Sequence, residues 1–307
     1  MEYNRTVIEI KKREIEKFQR EILEWFEENK RDLPWREIPD GISLQDRAYR
    51  ILVSEVMLQQ TQVNRVIPKY EAWLMAFPTV KSLAKASISD VLGLWSGLGY
   101  NRRAVYLKKT AEILVSNYSS RESRSSSQEF STPLRGVRTI INFPQDEKTL
   151  RSLPGIGEYT ARAILCFAFN HQVAVVDTNV RKILLLKVFK EIGGTKEPKE
   201  VKEMAKAFLP KDKAYEWNQA LMDYSSAVLS KEKVPLKKQS AFKTSNRYFR
   251  GQIIKVLLEH KTITASNVSL LFKKLYGKED SRRLASILLQ LEKDTLIKRE
   301  KGIVQLP

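Results

Sequence analysis

Cysteine and histidine are almost missing from this 307-residue sequence, which has one cysteine, Cys166, and two histidines, His171 and His260. A single thiol excludes an intrachain disulfide framework and any site built from several thiolates. Two histidines make a zinc site a poor expectation, so no residue is assigned to a metal. Cys166 lies in the apolar run Ala163-Ile-Leu-Cys-Phe-Ala-Phe169, where a buried thiol is expected. Apolar runs of bilayer length are also missing, and the stretch from Glu9 to Arg13 is charged, so an intracellular protein of the cytoplasm or nucleoid, with no membrane partner, is expected. Acidic residues are in deficit, 36 against 54 basic, for a formal charge of +18. That excess predicts an anionic partner, with nucleic acid ahead of an anionic membrane surface. A hydrophobic fraction of 42% excludes wholesale disorder.

Apolar residues recur at helical spacing through most of the first 230 residues, as in Ile15, Phe18, Ile22, Trp25 and Phe26. Strand-like alternation is scarce until the last dozen residues, so the fold is expected to be mostly α. Residues 119–142, rich in serine and arginine, predict a flexible insertion, and residues 231–245, rich in lysine, predict a basic linker. These divide the chain into a main domain over 1–230 and a small domain over 246–307. In the small domain, helices are predicted over Tyr248–Leu258, Ser266–Tyr276 and Asp280–Lys293, with a hairpin from Leu296–Arg299 and Gly302–Gln305. Three helices and a hairpin suggest a winged-helix-like, DNA-binding module, in which Arg282, Arg283, Lys293, Lys298 and Arg299 could grip a duplex.

The sharpest local pattern is Leu153-Pro-Gly-Ile-Gly-Glu-Tyr-Thr-Ala161. Its glycines, Gly155 and Gly157, permit a tight turn before a helix that restarts near Tyr159 and Thr160, and the amides of such a turn suit a phosphate. An ordinary helix connection would read the same. Beyond it, Val173-Ala-Val-Val-Asp-Thr-Asn-Val180 ends an apolar segment on Asp177, either a helix N-cap or a fixed anion in a cleft, two compatible roles. A second carboxylate, Glu55, interrupts the apolar helical face Ile51-Leu-Val-Ser-Glu-Val-Met-Leu-Gln-Gln-Thr61. Its spacing predicts burial, which favours a neutral carboxyl able to act as a general acid, although a glutamate is more often a surface group. Gln59 and Gln60 offer amides suited to base edges.

Ser54-Glu-Val-Met-Leu-Gln-Gln-Thr-Gln-Val63, Leu94-Trp-Ser-Gly-Leu-Gly-Tyr100, Leu153-Pro-Gly-Ile-Gly157 and Val176-Asp-Thr-Asn-Val180 occur in that order in one chain. Together they resemble the helix-hairpin-helix DNA glycosylase superfamily, and within it the MutY-type adenine DNA glycosylases, over roughly residues 22–229. Asn218-Gln-Ala-Leu-Met-Asp223 resembles the same family. The resemblance implies a two-lobed helix-hairpin-helix domain and gives the residues roles. Glu55 would protonate the departing adenine at N7, and Asp177 would stabilise the deoxyribose oxocarbenium ion or capture it. Asn179 would position the nucleophile, while Gln60 and Tyr100 would wedge into the stack near the opposite base. Tyr159 stands where bifunctional relatives carry a Schiff-base lysine, which implies hydrolysis without strand cutting.

Three departures qualify the resemblance. The family's four cluster cysteines would fall at Leu229, Leu236, Gln239 and Ser245, so the [4Fe-4S] cluster is expected to be absent and no cofactor is assigned. Asn101 follows Tyr100 where adenine-type enzymes often have a second tyrosine. The C-terminal domain is smaller than the one that inspects 8-oxoguanine in many relatives. Monofunctional removal of adenine mispaired with 8-oxoguanine or guanine, by a monomer acting on double-stranded DNA, is the leading expectation. A thymine/uracil mismatch glycosylase acting on T:G or U:G is the alternative, and a non-catalytic DNA-binding regulator is the third.

Overall fold

The computed structural model describes residues 12–37, 39, 41–125, 142–188, 197–232, 241–277 and 280–307. Helices α1 (Lys12–Asn29), α2 (Leu44–Leu58), α3 (Val63–Ala76), α4 (Val80–Lys85), α5 (Ile88–Trp95) and α6 (Arg102–Ser125) come first. Then follow α7 (Glu147–Ser152), α8 (Glu158–Phe169), α9 (Thr178–Ile183), a π-helical turn at Leu184–Val188, α10 (Pro198–Ala207) and α11 (Ala214–Ala227). The C-terminal module consists of α12 (Asn246–His260), β1 (Thr262–Thr264), α13 (Ala265–Tyr276), α14 (Ser281–Lys293), β2 (Lys298–Glu300) and β3 (Ile303–Gln305). The chain is mostly α, as its periodicity predicts.

The chain divides into two compact units. Unit 1 comprises residues 1–52, 144–152 and 156–236, and unit 2 comprises 53–143, 153–155 and 237–307. In unit 1, α1 packs its apolar face against α11, and α11 in turn packs against α9. The helical spacing of Ile15, Phe18 and Ile22 places those side chains in a core with Val201, Met204, Phe208, Trp217 and Leu221. Phe18 meets Phe208 and Trp217 edge-on at 5.6 and 5.9 Å between centroids. Such pairs add directionality to apolar burial.

One ionic cluster fixes the approach of the N-terminal segment to α11. The side chain of Asp223 is fully buried. It accepts two hydrogen bonds from the Arg31 guanidinium, at 2.8 and 2.6 Å, and one from the Arg31 amide, at 3.0 Å. Arg36 adds two more at 2.7 and 2.8 Å and also donates to the Arg31 carbonyl. Burial alone would raise the carboxyl, but the two guanidinium groups prevail and hold it below the usual carboxylate range.

In unit 2, Trp73 is central, edge-on to Phe77 at 5.1 Å and to Trp95 at 5.6 Å. The C-terminal module contributes a second core of Phe249, Ile253, Leu257, Val268, Phe272, Ile287 and Leu291. Its helices agree with the sequence expectation to within two residues at each end. Its sheet has a strand more than expected: β3 is central, antiparallel to β1 on one side and to β2 on the other. The β2–β3 turn uses left-handed conformations at Lys301 (φ 47°) and Gly302 (φ 78°), whose twist matches a hairpin. α12 packs against α5, so the module belongs to unit 2 with residues 53–143.

Two sequence expectations need comment. α6 continues to Ser125, so residues 119–125 extend a helix where a flexible insertion is expected to begin. The rest of that insertion through residue 141, and residues 233–240 of the basic linker, lie outside the described residues.

Replacing Asp223 with alanine strands two guanidinium groups, one of them largely buried, and should cost about 3 kcal/mol. Urea denaturation at neutral pH checks this. The difference from wild type should shrink as pH falls through the lowered pKa of Asp223, because the carboxylate's contribution disappears on protonation.

Candidate active site and nucleic-acid interface

Glu55 sits in the buried stretch of α2 and is only 6% exposed, as its place among Ile51, Leu52, Val53, Val56 and Met57 predicts. At the end of that helix the chain changes character. Gln59 is half-buried, and Gln60 is exposed in a left-handed conformation with φ 56°. Tyr100 is likewise left-handed, with φ 49°, and 40% exposed. Both conformations cost a non-glycine residue free energy and persist where surrounding contacts impose them.

Those contacts converge on Arg103, a buried residue in the first turn of α6 that the sequence did not single out. Its Nη1 donates to the carbonyls of Val56 (2.7 Å), Met57 (3.1 Å) and Gln59 (2.7 Å). Its Nη2 donates to Thr61 Oγ1 (3.2 Å) and to the carbonyls of Leu98 and Gly99 (3.1 Å each). The guanidinium also lies over the rings of Trp95 and Tyr100, at 5.1 and 5.6 Å. One fork thereby satisfies the terminal carbonyls of α2, where a cation is favoured, and ties the Gln59–Thr61 turn to the Leu98–Tyr100 turn. Burial lowers its pKa to about 10, which leaves it charged at neutral pH.

The glycine-rich turn joins α7 to α8. Gly155 is exposed, with φ 75°. A Cβ there would lie 2.8 and 2.9 Å from Tyr106 side-chain atoms, so both the backbone conformation and the space require glycine. Gly157 is exposed and precedes the first turn of α8 as its N-cap. Tyr159 is half-buried. Thr160, expected to touch DNA, is 2% exposed, so its hydroxyl faces the protein interior and any such contact falls to the main chain.

Asp177 is half-buried and is the N-cap of α9, accepting from the Val180 amide at 2.7 Å. Asn179, two residues on, donates from Nδ2 to its other carboxylate oxygen at 2.8 Å. Burial pushes the Asp177 carboxyl above its ordinary value even though these hydrogen bonds pull the other way. The cap role and the fixed-anion role are therefore both open to it. Behind it, buried Asn218 pins the incoming segment: its Oδ1 accepts from the Val175 amide at 2.8 Å, and its Nδ2 donates to the carbonyls of Val173 (3.0 Å) and Ala214 (2.7 Å). Nδ2 also lies 3.4 Å from Cys166 Sγ, and burial pushes that thiol up to about 12. Glu55 belongs to unit 2 and Asp177 to unit 1.

Of the C-terminal cations proposed to grip DNA, two are engaged within the module. Arg299 pairs with Glu292, and Arg283 donates to Asn246 Oδ1 and the Thr244 carbonyl while stacking on Tyr276 at 4.5 Å. Among the described residues, no group of three or more histidine, cysteine or acidic side chains could hold a metal ion, and no helix is long and apolar enough to cross a membrane.

Residues 53–211 match the model of the HhH-GPD superfamily base excision DNA repair proteins. The chain is 39% identical to an adenine DNA glycosylase of Mycolicibacterium smegmatis over 211 residues, 68% of this chain and 62% of that protein. It is 34% identical to a human adenine DNA glycosylase over 224 residues, 72% of this chain and 37% of that one. The chain thus spans about three fifths or less of these curated relatives. A thermostable thymine-DNA glycosylase has a similar fold, with a TM-score of 0.58 at 24% identity over 72% of this chain and 90% of that one. An endonuclease III in covalent complex with DNA gives 0.52 at 17% identity, over 70% and 86%.

Two outcomes are expected from this geometry. Arg103→Lys keeps the charge but cannot reach six acceptors from one ammonium, and should lower stability by about 1–3 kcal/mol in chemical denaturation. Asp177→Asn retains a good N-cap and removes a carboxylate that folding desolvates. Because the folded pKa is raised, wild-type stability falls as pH rises from the unfolded value near about 4 through the folded one. The variant should therefore equal or exceed wild type in urea midpoint at pH 7, with the advantage gone in acid.

Proposed function

The chain belongs to the HhH-GPD superfamily of base excision DNA repair proteins, and from that premise we propose that it is a monofunctional DNA glycosylase removing adenine mispaired with 8-oxoguanine or guanine in double-stranded DNA. The observation that carries the substrate is the set of adenine DNA glycosylases at 34–41% identity in mycobacteria, mammals and a plant. The base leaves the stack, since its glycosidic bond is out of reach inside a duplex. Glu55, screened from water, delivers a proton to adenine N7 as the C1′–N9 bond breaks and its electron pair passes to the base. The sugar becomes an oxocarbenium ion, and Asp177, a fixed anion, stabilises it until water adds at C1′ and loses a proton. Asn179 holds one oxygen of that carboxylate in place, which supports a positioning role.

Tyr159 carries no amine, so no Schiff base forms at that position and the product is an abasic site rather than a cut strand. Gln59, Gln60 and Tyr100, with the amides around Gly155 and Gly157, contact the DNA. The C-terminal module acts as a winged-helix-like DNA-binding element, supported by its three helices and its three-stranded sheet ending in a hairpin. The enzyme works as a monomer and without an iron-sulfur cluster. At the four positions where relatives place cluster cysteines stand Leu229, Leu236, Gln239 and Ser245, of which Leu229 packs in the unit 1 core and Ser245 caps α12. One buried thiol elsewhere does not fit a four-thiolate cluster.

Duplexes carrying A:8-oxoG, A:G, T:G or U:G, incubated with the protein and then cleaved with alkali, test the assignment. Product is expected from the adenine pairs, and product from T:G and U:G alone overturns it. Glu55→Gln should slow single-turnover excision by about 10²–10⁴-fold, and Asp177→Asn by about 10³-fold, without unfolding. Strand cutting before alkali contradicts the monofunctional reaction, and stoichiometric iron in the purified protein contradicts the cluster-free one.

A further inference from the structure

The Tyr100 loop does not end at Tyr100 as a surface. On unit 2 the guanidinium of Arg247, in the first turn of α12, lies over the Tyr100 ring at 5.6 Å and over the Phe242 ring at 5.9 Å. Its Nη1 donates to the Tyr100 hydroxyl. Phe242 meets Tyr248 edge-on at 5.4 Å. Tyr100 is 40% exposed and Phe242 60%, so both rings reach solvent beside the Arg247 guanidinium, with Arg103 also over the Tyr100 ring.

These residues are far apart in sequence, and a buried carboxylate fastens them together. Asp294, just after α14 and 7% exposed, accepts hydrogen bonds from Arg250 of α12, Arg102 at the start of α6, and Gln290. Burial would raise its carboxyl, yet Arg250 and Arg102 prevail and keep it below the ordinary range. Tyr100 is separated from Arg102 by one residue, and Arg247 lies one helical turn from Arg250. The same stretch of chain is strongly basic: residues 231–307 have eighteen basic and seven acidic residues, a net +11 of the chain's +18.

Solvent-reaching aromatic rings flanking a guanidinium in a basic region match one chemistry, flat bases on a phosphate backbone. Paired bases in a duplex present only their edges, so such rings favour bases already out of the stack. We propose that Tyr100, Arg247 and Phe242 form a stacking strip for unpaired DNA bases, which makes the C-terminal module part of the surface that engages the opened helix. The strip takes DNA as partner from the proposed function but does not require catalysis.

The full chain can be titrated with a fluorescent oligothymidylate of about twelve nucleotides, and with a fully paired duplex of that length. Phe242→Ala, at an exposed position, should weaken single-strand binding about fivefold or more while changing duplex binding less than about twofold. Arg247→Lys should weaken single-strand binding too, with the salt dependence retained, because the charge remains and the planar fork is lost. Wild-type single-strand affinity in either variant overturns the strip, as does an equal loss on both DNAs. Excision is read separately on the wild-type enzyme, so its failure counts against the glycosylase assignment and not against the strip.

Discussion

The geometry of unit 2 depends on placing one guanidinium among six neutral oxygens. A buried cation is costly, and Arg103 offsets that cost only because the end of α2 and the turn before α6 both present oxygens toward it. Both turns thereby hold residues that would otherwise relax. Gln60 and Tyr100 keep their left-handed backbones at exposed positions. Arg102, the neighbour of Arg103, reaches the opposite way to Asp294, so two consecutive arginines connect the interior of the lobe to the C-terminal module.

Unit 1 solves a similar problem with amides. Asp177 bears a carboxylate that burial disfavours, held by a backbone amide on one oxygen and by Asn179 on the other. Asn218 fixes the approach of that carboxylate by binding main-chain atoms of residues 173 and 175. Elsewhere in unit 1, Arg31 and Arg36 are committed to Asp223. Burial raises the Asp177 carboxyl while the hydrogen bonds from Val180 and Asn179 pull it down.

Much of this was legible in sequence where the signal is local. Helical periodicity gave the mostly α fold, Gly155 marked a turn that only glycine can occupy, and Glu55 stood out as a charge on an apolar face. The three-residue strand β1 was not legible, because its pairing partner lies some forty residues away and no alternation can develop over Thr262–Thr264. Arg103 and Asp223 were also missed in their structural roles. A buried ion reads in sequence like any surface charge, and the partners of Asp223 lie 187 and 192 residues away. The inward-facing side chain of Thr160 was not legible either: the turn is recognisable, but which face of α8 packs inward is decided by tertiary contacts.

The Arg31–Asp223 cluster also sets a schedule. Helix α1 is synthesised well before its partner helix α11, which is nearly the last part of unit 1 to appear. At ribosomal rates of roughly 5–20 residues per second, the 192 residues between Arg31 and Asp223 take about 10–40 s to appear. For most of that interval the apolar face of α1, with Phe18, Ile22 and Trp25, lacks its native partners, the earliest of which lie beyond residue 170. Native closure of unit 1 is therefore a late event of biogenesis, completed only when Asp223 arrives.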